Sequence, residues 1–236
     1  MNFTTDWRGL TDYPAALEIQ RASWERRRAG SPWRIEIPSD DLLLGFEHPS
    51  VITLGSRGSL VADISPEAAG SDIPVIPTDR GGQATLHSPG QLVIYPIFDL
   101  RARGLGVREF VEAIQEATRL LLLDYGVTSR PAEGAGLVTE RGKIAFIGLR
   151  IERGITRHGV SLNVTNDLSL FSTIRSCGVR GAALDRLSDY GAELPSLQLL
   201  FEAWSGHFAH ILANNLADHS LAEMPHKPLE VPETSC

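Results

Sequence analysis

Apolar residues recur along this chain at two spacings, and the switches between them mark out the expected elements. A period near 3.6 runs through three stretches. Over 14–28, Leu17, Ile19, Ala22 and Trp24 are followed by Glu25-Arg26-Arg27-Arg28 and a natural stop at Gly30, which predicts a first helix. Over 107–125, Val107, Phe110, Val111, Ile114, Ala117, Thr118, Leu121, Leu122 and Tyr125 form one stripe closed by Gly126. Over about 196–216, Leu200, Ala203, Trp204, His207, Phe208, Ile211 and Leu212 share one side of a long helix. Between these, short β-prone runs predict strands at 33–37, 42–46, 51–54, 75–78 and 92–98, with a loop at 79–90 and another at 65–73 carrying a helical turn after Pro66. Runs at 144–151 and 155–164, joined by Glu152-Arg153-Gly154, read as a hairpin. A short helix is expected at about 181–187. The pattern describes one α+β domain over 1–219, with 220–236 a flexible, proline-dotted tail.

Composition narrows the setting. With 236 residues the chain can build a real core, and a net charge of −7 argues against nucleic acid as a partner. The opening MNFTTDWRGL lacks the layout of a signal peptide, and no apolar run approaches the ~20 residues that span a bilayer. Cys177 and Cys236 are the only cysteines, too few for a disulfide framework or a zinc site. A reducing cytoplasm and a free thiol at Cys177 are the expectation. Lys143 and Lys227 are the only lysines among 22 basic residues, so Lys143 and Cys177 are the lone interior amine and thiol.

Three places can carry chemistry. The densest is Asp79-Arg80-Gly81-Gly82-Gln83-Ala84-Thr85-Leu86-His87-Ser88-Pro89-Gly90-Gln91, where paired glycines allow close backbone approach and several polar side chains follow. It is neither GxGxxG nor a phosphate loop ending in GK[ST]. An ordinary turn is the bland reading. Lys143 opens GKIAFIGLRI, where alternation puts it on one face with Ala145, Ile147 and Leu149. An exposed strand-start lysine is the bland reading there. Cys177 lies in Ser176-Cys177-Gly178-Val179-Arg180-Gly181, where a following helix would stabilise its thiolate; most lone cysteines are inert. His158 and His87 are candidate partners, and His207 with His210 lacks a third ligand for a metal.

Taken in order, these blocks resemble one family. RGGQATLHSPGQ, GKIAFIGLRIERGITRHGVSLNV and Cys177-Gly178 are similar to the loop, lysine strand, HGxxLNV block and CG pair of the octanoyl-carrier-protein:protein octanoyltransferases (lipoate-protein ligase B), from Glu47-His48-Pro49 to about Gly181. The resemblance implies the biotin/lipoyl protein ligase catalytic-domain fold, a central mixed sheet flanked by helices. It implies a catalytic pair, Cys177 as nucleophile and Lys143 as its activating partner, with His158 in support. Arg80, Gly81, Gly82, Gln83, Ala84, Thr85, Leu86 and His87 would wrap the acyl group, and Phe146-Ile147-Gly148 with Gly159-Val160-Ser161 would line the same pocket. Octanoyl-acyl carrier protein, bearing phosphopantetheine, would be the donor. Lipoyl domains of 2-oxoacid dehydrogenases or the glycine cleavage H protein would be acceptors, with no metal, no ATP and a monomeric enzyme. Arg57, Arg150, Arg153, Arg157 and Arg180 are candidates for docking these acidic partners. Ser88 stands where the family has glycine; a positive φ there would cost on the order of 1 kcal/mol. An ATP-dependent lipoate or biotin ligase and a non-catalytic binding paralogue are the alternatives.

Overall fold

The computed structural model describes residues 3–29, 41–66, 72–133, 135–175 and 182–222, with the backbone alone over 215–222. Ten strands occur among these residues. They are β1 (Thr4–Leu10), β2 (Leu42–Glu47), β3 (Val51–Leu54), β4 (Val75–Pro77), β5 (Ala84–His87), β6 (Gln91–Ile97), β7 (Arg130–Pro131), β8 (Gly136–Val138), β9 (Lys143–Glu152) and β10 (Ile155–Asn163). Helices α1 (Tyr13–Ala29), α2 (Leu60–Asp63), α3 (Val107–Asp124) and α4 (Leu197–Ala222) accompany them. A seven-stranded mixed sheet runs β1-β2-β6-β10-β9-β8-β7, and a three-stranded sheet runs β4-β3-β5. Only β1 with β2 and β3 with β4 pair in parallel.

The large sheet is covered on both faces, which is why LLLGFE and QLVIYPI are almost continuously apolar. Alternation still sorts their side chains. Leu43, Leu92 and Ile94 join the core under α3 and α4, whereas Leu44, Phe46, Val93 and Tyr95 join the core under α1. Helix α3 starts where Glu109 accepts the Gly106 N–H at 2.8 Å and ends at Gly126, φ 73°. It packs on α4, with the Trp204 indole donating to the Thr118 hydroxyl at 2.9 Å.

Most elements fall where the periodicity puts them, with several corrections. Residues 84–87 are strand β5, not loop, because all four side chains find burial against β3. Residues 182–186 are not helical; a 3-10 turn comes later, at Leu187–Tyr190. Val107 is exposed at the start of its helix, and Ala203 lies outside the buried stripe of α4. Helix α4 continues through Ala222, past the expected end at 216 and the 219/220 boundary. The expected strand at 33–37 lies outside the described residues, as does part of the 65–73 loop. Strands β1, β7 and β8 carry too few residues or too mixed a pattern to be read from periodicity.

One polar group ties the far end of the sheet together. Asp41 is fully buried; it accepts from Arg27 Nε at 2.9 Å, from Arg103, and from the Asp99 N–H at 3.0 Å. Those contacts join α1, the residue before β2 and the turn after β6. Asp41→Asn leaves two buried guanidiniums without their shared charge, so urea unfolding at pH 7 should show a loss on the order of 3 kcal/mol. A loss under about 1 kcal/mol would mean the cluster is not a keystone.

Candidate active site

The glycine-rich segment is a loop made rigid from inside. Arg80 is buried, and its guanidinium donates to the Thr53 hydroxyl at 2.9 Å, the Thr53 carbonyl at 2.7 Å, and the Gln83 and Gly81 carbonyls at 2.7 and 3.0 Å. Its role in this geometry is to staple the loop to β3. The loop then lies across β9, where the Gly81 N–H donates to the Leu149 carbonyl at 3.0 Å. A Cβ on Gly148 would sit 2.9 Å from the Gly81 carbonyl oxygen, so glycine is what lets the two backbones touch. After β5 the chain reverses at Ser88-Pro89-Gly90-Gln91. Gln91 N–H donates to Ser88 C=O at 3.1 Å, and Gly90 takes φ 88°, as the third position of a type II turn requires. The positive φ therefore falls on Gly90 and not on Ser88, and serine carries no backbone cost there.

Between this loop and strands β6, β9 and β10 lies a cavity enclosing about 520 Å3, its open mouth included. Arg80, Gly81, Gly82, Gln83, Ala84, Thr85, His87, Phe146, Ile147, Gly148, His158, Gly159, Val160 and Ser161 all line it. Leu86 does not: alternation along β5 sends it into the core of the small sheet, beside Ile52 and Phe171. Tyr13, Val93, Tyr95 and Ala135 also line the cavity and were not anticipated. Val93 and Tyr95 were recoverable, since they have the opposite parity to Leu92 and Ile94; Tyr13 had no signal beyond its place at a helix start.

Apart from the Arg80 guanidinium, engaged by its carbonyls, the polar groups in and behind the inner walls are mainly histidines and tyrosines. His48 donates Nδ1–H to the Thr11 carbonyl at 2.6 Å and accepts from the Tyr95 hydroxyl at 3.0 Å through Nε2. His87 donates Nδ1–H to Gln91 Oε1 at 2.7 Å. Burial pushes the His48 imidazole down to about 4 and, with the His48 charge adding to it, His87 to about 3. Burial also lifts the Tyr13 phenol to about 12 and Tyr95 well above its ordinary value. His158 is held at φ 55°, its backbone N–H donating to Gln20 Oε1 and its Nε2–H to Asp79 at 2.8 Å. Burial outweighs the Asp79 carboxylate and lowers the His158 imidazole, while the bond from His158 holds the Asp79 carboxyl well below the usual range. Arg157 is engaged nearby with Asp79 at 2.6 Å and Glu152 at 3.4 Å.

Lys143 does not keep the face that simple alternation assigns it. The pairing of β8 with β9 slips between Leu137 and Val138, so Ile144 and Ala145 both enter the core under α3. That bulge turns Lys143 toward the other side, with Nζ 5.0 Å from the centre of the Phe146 ring at the cavity wall. Its backbone is paired too: Lys143 N–H donates to Ala183 C=O at 2.8 Å, and Asp185 N–H to Lys143 C=O at 3.0 Å. Cys177 lies outside the described residues, but the chain on either side of its block is anchored. Before it, Arg175 N–H donates to Asp63 C=O at 2.7 Å; after it comes the 183–185 pairing to Lys143. No group of three or more potential metal ligands occurs among the described residues, and His207 is engaged with Asp124 at 2.7 Å.

The buried histidines make stability depend on pH. Their folded values lie below the unfolded value of about 6.5, so their contribution is complete above that pH and is lost as pH falls. His48 and His87 together should cost about 2 kcal/mol of unfolding free energy between pH 6 and 5, as urea titrations at the two pH values would measure. Equal stabilities at both would show that these imidazoles protonate freely in the folded state.

Comparison with known proteins agrees with this geometry. Residues 12–209 match the lipoyl protein ligase A/B catalytic domain family. The octanoyltransferase of Cellvibrio japonicus is 43% identical over 191 residues, covering 80% of this chain and 86% of that one. The octanoyltransferase of Chromohalobacter salexigens is 42% identical over 209 residues, covering 88% of each. Among solved structures, a bi-partite lipoate protein ligase of Thermoplasma acidophilum superposes with a TM-score of 0.61 over 93% of both chains at 16% identity, a likeness of fold. With its ligase-type mixed sheet, its loop-roofed cavity and these relatives, the chain belongs to the lipoyl protein ligase A/B catalytic domain family, in company with the octanoyltransferases.

Proposed function

We propose that this protein transfers an octanoyl group from a carrier-protein thioester to a lysine of a lipoyl-type acceptor domain, by way of a thioester on Cys177. The observation that carries this reading is the bulge that turns Lys143 onto the cavity side while its backbone pairs with the segment following the Cys177 block. The relatives named octanoyltransferase support the choice of acyl group and reaction.

A thiol with its ordinary value near 8.5 is only a few per cent thiolate at neutral pH, and an adjacent ammonium increases that fraction. In the first step the Cys177 thiolate attacks the carrier thioester. A carbon–sulfur bond forms to Sγ, the bond to the carrier sulfur breaks, and Lys143 gives its proton to the departing thiolate. In the second, the acceptor lysine amine attacks acyl-Cys177. The amide bond forms, the bond to Sγ breaks, and neutral Lys143 takes the proton of the attacking amine. Aminolysis of a thioester is downhill, so the scheme needs neither ATP nor a metal. The largely apolar wall, with the Arg80 guanidinium already engaged by carbonyls of the loop and β3, suits an aliphatic chain.

Incubation with octanoyl-carrier protein should add one octanoyl mass, mapped to Cys177 by peptide mass spectrometry, and Cys177→Ala should show neither adduct nor product. Normal transfer by Cys177→Ala would sink the reading. Lys143→Arg keeps the charge but cannot give up a proton at working pH, so kcat should fall by about 100-fold or more. Free octanoate with ATP should give no product; product formed that way would instead favour an ATP-dependent ligase.

A further inference from the structure

The cavity has a partly exposed outer end and a buried inner end. Gly81, Gly82, Gln83, Ile147 and Gly148 are partly exposed, whereas Tyr13, Val93, Tyr95 and Val160 are each at most 3% exposed. Lys143, partly exposed, stands against Phe146 at the cavity wall. A chain attached near Lys143 would therefore run inward and stop at the Tyr13 side. Tyr13 also lines a second cleft, of about 750 Å3 and open to solvent, bounded by Asp12, Ala15, Ser50, Val51, Pro74 and Ile76. Among the described residues, no other lines both.

We propose that Tyr13 sets the acyl-chain limit: its ring is the partition between the acyl cavity and an apolar-walled outer cleft. This rests on the acyl-transfer reading above. The ring is fixed on several sides. It stacks on His87 at 5.7 Å with planes 14° apart and meets His48 edge-on at 5.3 Å. Its buried phenol lies close to Thr78 and Tyr95. A partition held by that many contacts does not swing aside for a longer chain, because each contact would have to break inside a packed core. Truncation of the same ring removes the common wall and continues the cavity into the cleft, whose far side is open.

The discriminating measurement is the distribution of acyl-Cys177 adducts after incubation with an equimolar mixture of carrier thioesters from six to sixteen carbons. Wild type should load octanoyl and fall at least tenfold in loading by fourteen carbons. Tyr13→Ala should raise the ratio of fourteen-carbon to eight-carbon adduct by tenfold or more. Tyr13→Leu, which keeps more of the buried volume, serves should the alanine variant fail to fold, and should move the ratio in the same direction. Ala15 lines only the outer cleft, so Ala15→Trp alone should leave octanoyl loading unchanged. Added to either Tyr13 variant, it should take the gained long-chain loading away. If folded Tyr13 variants keep the wild-type ratio while wild type loads octanoyl, the partition idea is wrong and the transfer reading stands. If wild type loads no acyl group at all, the transfer reading itself fails.

Discussion

The site depends on two sheets meeting closely enough to enclose a space without a helix between them. That closeness has a definite cause. The loop from the small sheet rests on β9 backbone to backbone, where Gly81 and Gly148 present no Cβ, and the Arg80 guanidinium bonds to carbonyls on both β3 and the loop itself. Either half alone would be insufficient. Without the glycines, side chains would hold the loop away from β9; without Arg80, the Thr53, Gln83 and Gly81 carbonyls would lose the guanidinium that ties the loop to β3. The roof of the cavity is therefore the loop backbone, and its shape is set by hydrogen bonds, not by side-chain packing.

Within that enclosure the polar groups are arranged to stay neutral. A buried imidazole or phenol is tolerated when its hydrogen bonds are made and its charge is not required. His48, between the Thr11 carbonyl and the Tyr95 hydroxyl, satisfies both nitrogens as a neutral ring. His87 uses Gln91, which in turn donates to Asn163 at 2.9 Å. The fixed Arg80 charge works in the same direction, opposing protonation of both His87 and His158. An apolar guest then meets surfaces that hold their shape through directional bonds, with the Arg80 charge already engaged by carbonyls. His158 is the costliest member, an L-residue at φ 55° with its buried Nδ1 unpartnered among the described residues. Strain of that kind is retained where surrounding contacts over-determine it, here the Gln20 and Asp79 bonds.

Much of this was legible in the chain because the informative residues act locally. The stripe of α3, the β9–β10 hairpin and the RGGQATLHSPGQ segment each declare themselves within a dozen positions, and most of the residues singled out from those blocks do line one cavity. What escaped was set by partners distant in sequence. Residues 84–87 form a strand only because β3 lies alongside, and Leu86 leaves the cavity because that pairing makes the side chains alternate. Tyr13 reaches the site because α1 packs on β6 and β10, a contact no local pattern announces. The helix expected after the Cys177 block fails because residues 183–185 find backbone partners on β9 in its place.

That last substitution bears most on the chemistry. The β10 ladder pairs with β9 as far as Leu162 opposite Ala145, and residues 183–185 take up the Lys143 backbone as a parallel bridge to Leu184. Asn163, at the end of β10, donates to the Asp185 carbonyl at 3.0 Å, so the departing strand holds its own replacement in place. The bulge at Ile144 acts on the same residue from the other edge of β9, turning the lysine side chain toward the cavity. Two irregularities, one on each side of a single strand, thus act together: one aims the amine, and the other fixes the chain that leaves the cysteine block against that amine's own backbone. A regular β9 would have kept Lys143 on the face of Ala145, under α3, where a charge has no partner and no substrate. The departure from ideal sheet geometry is what brings the lysine side chain against Phe146 at the cavity wall, and it is the feature a pattern read at strict period two cannot supply.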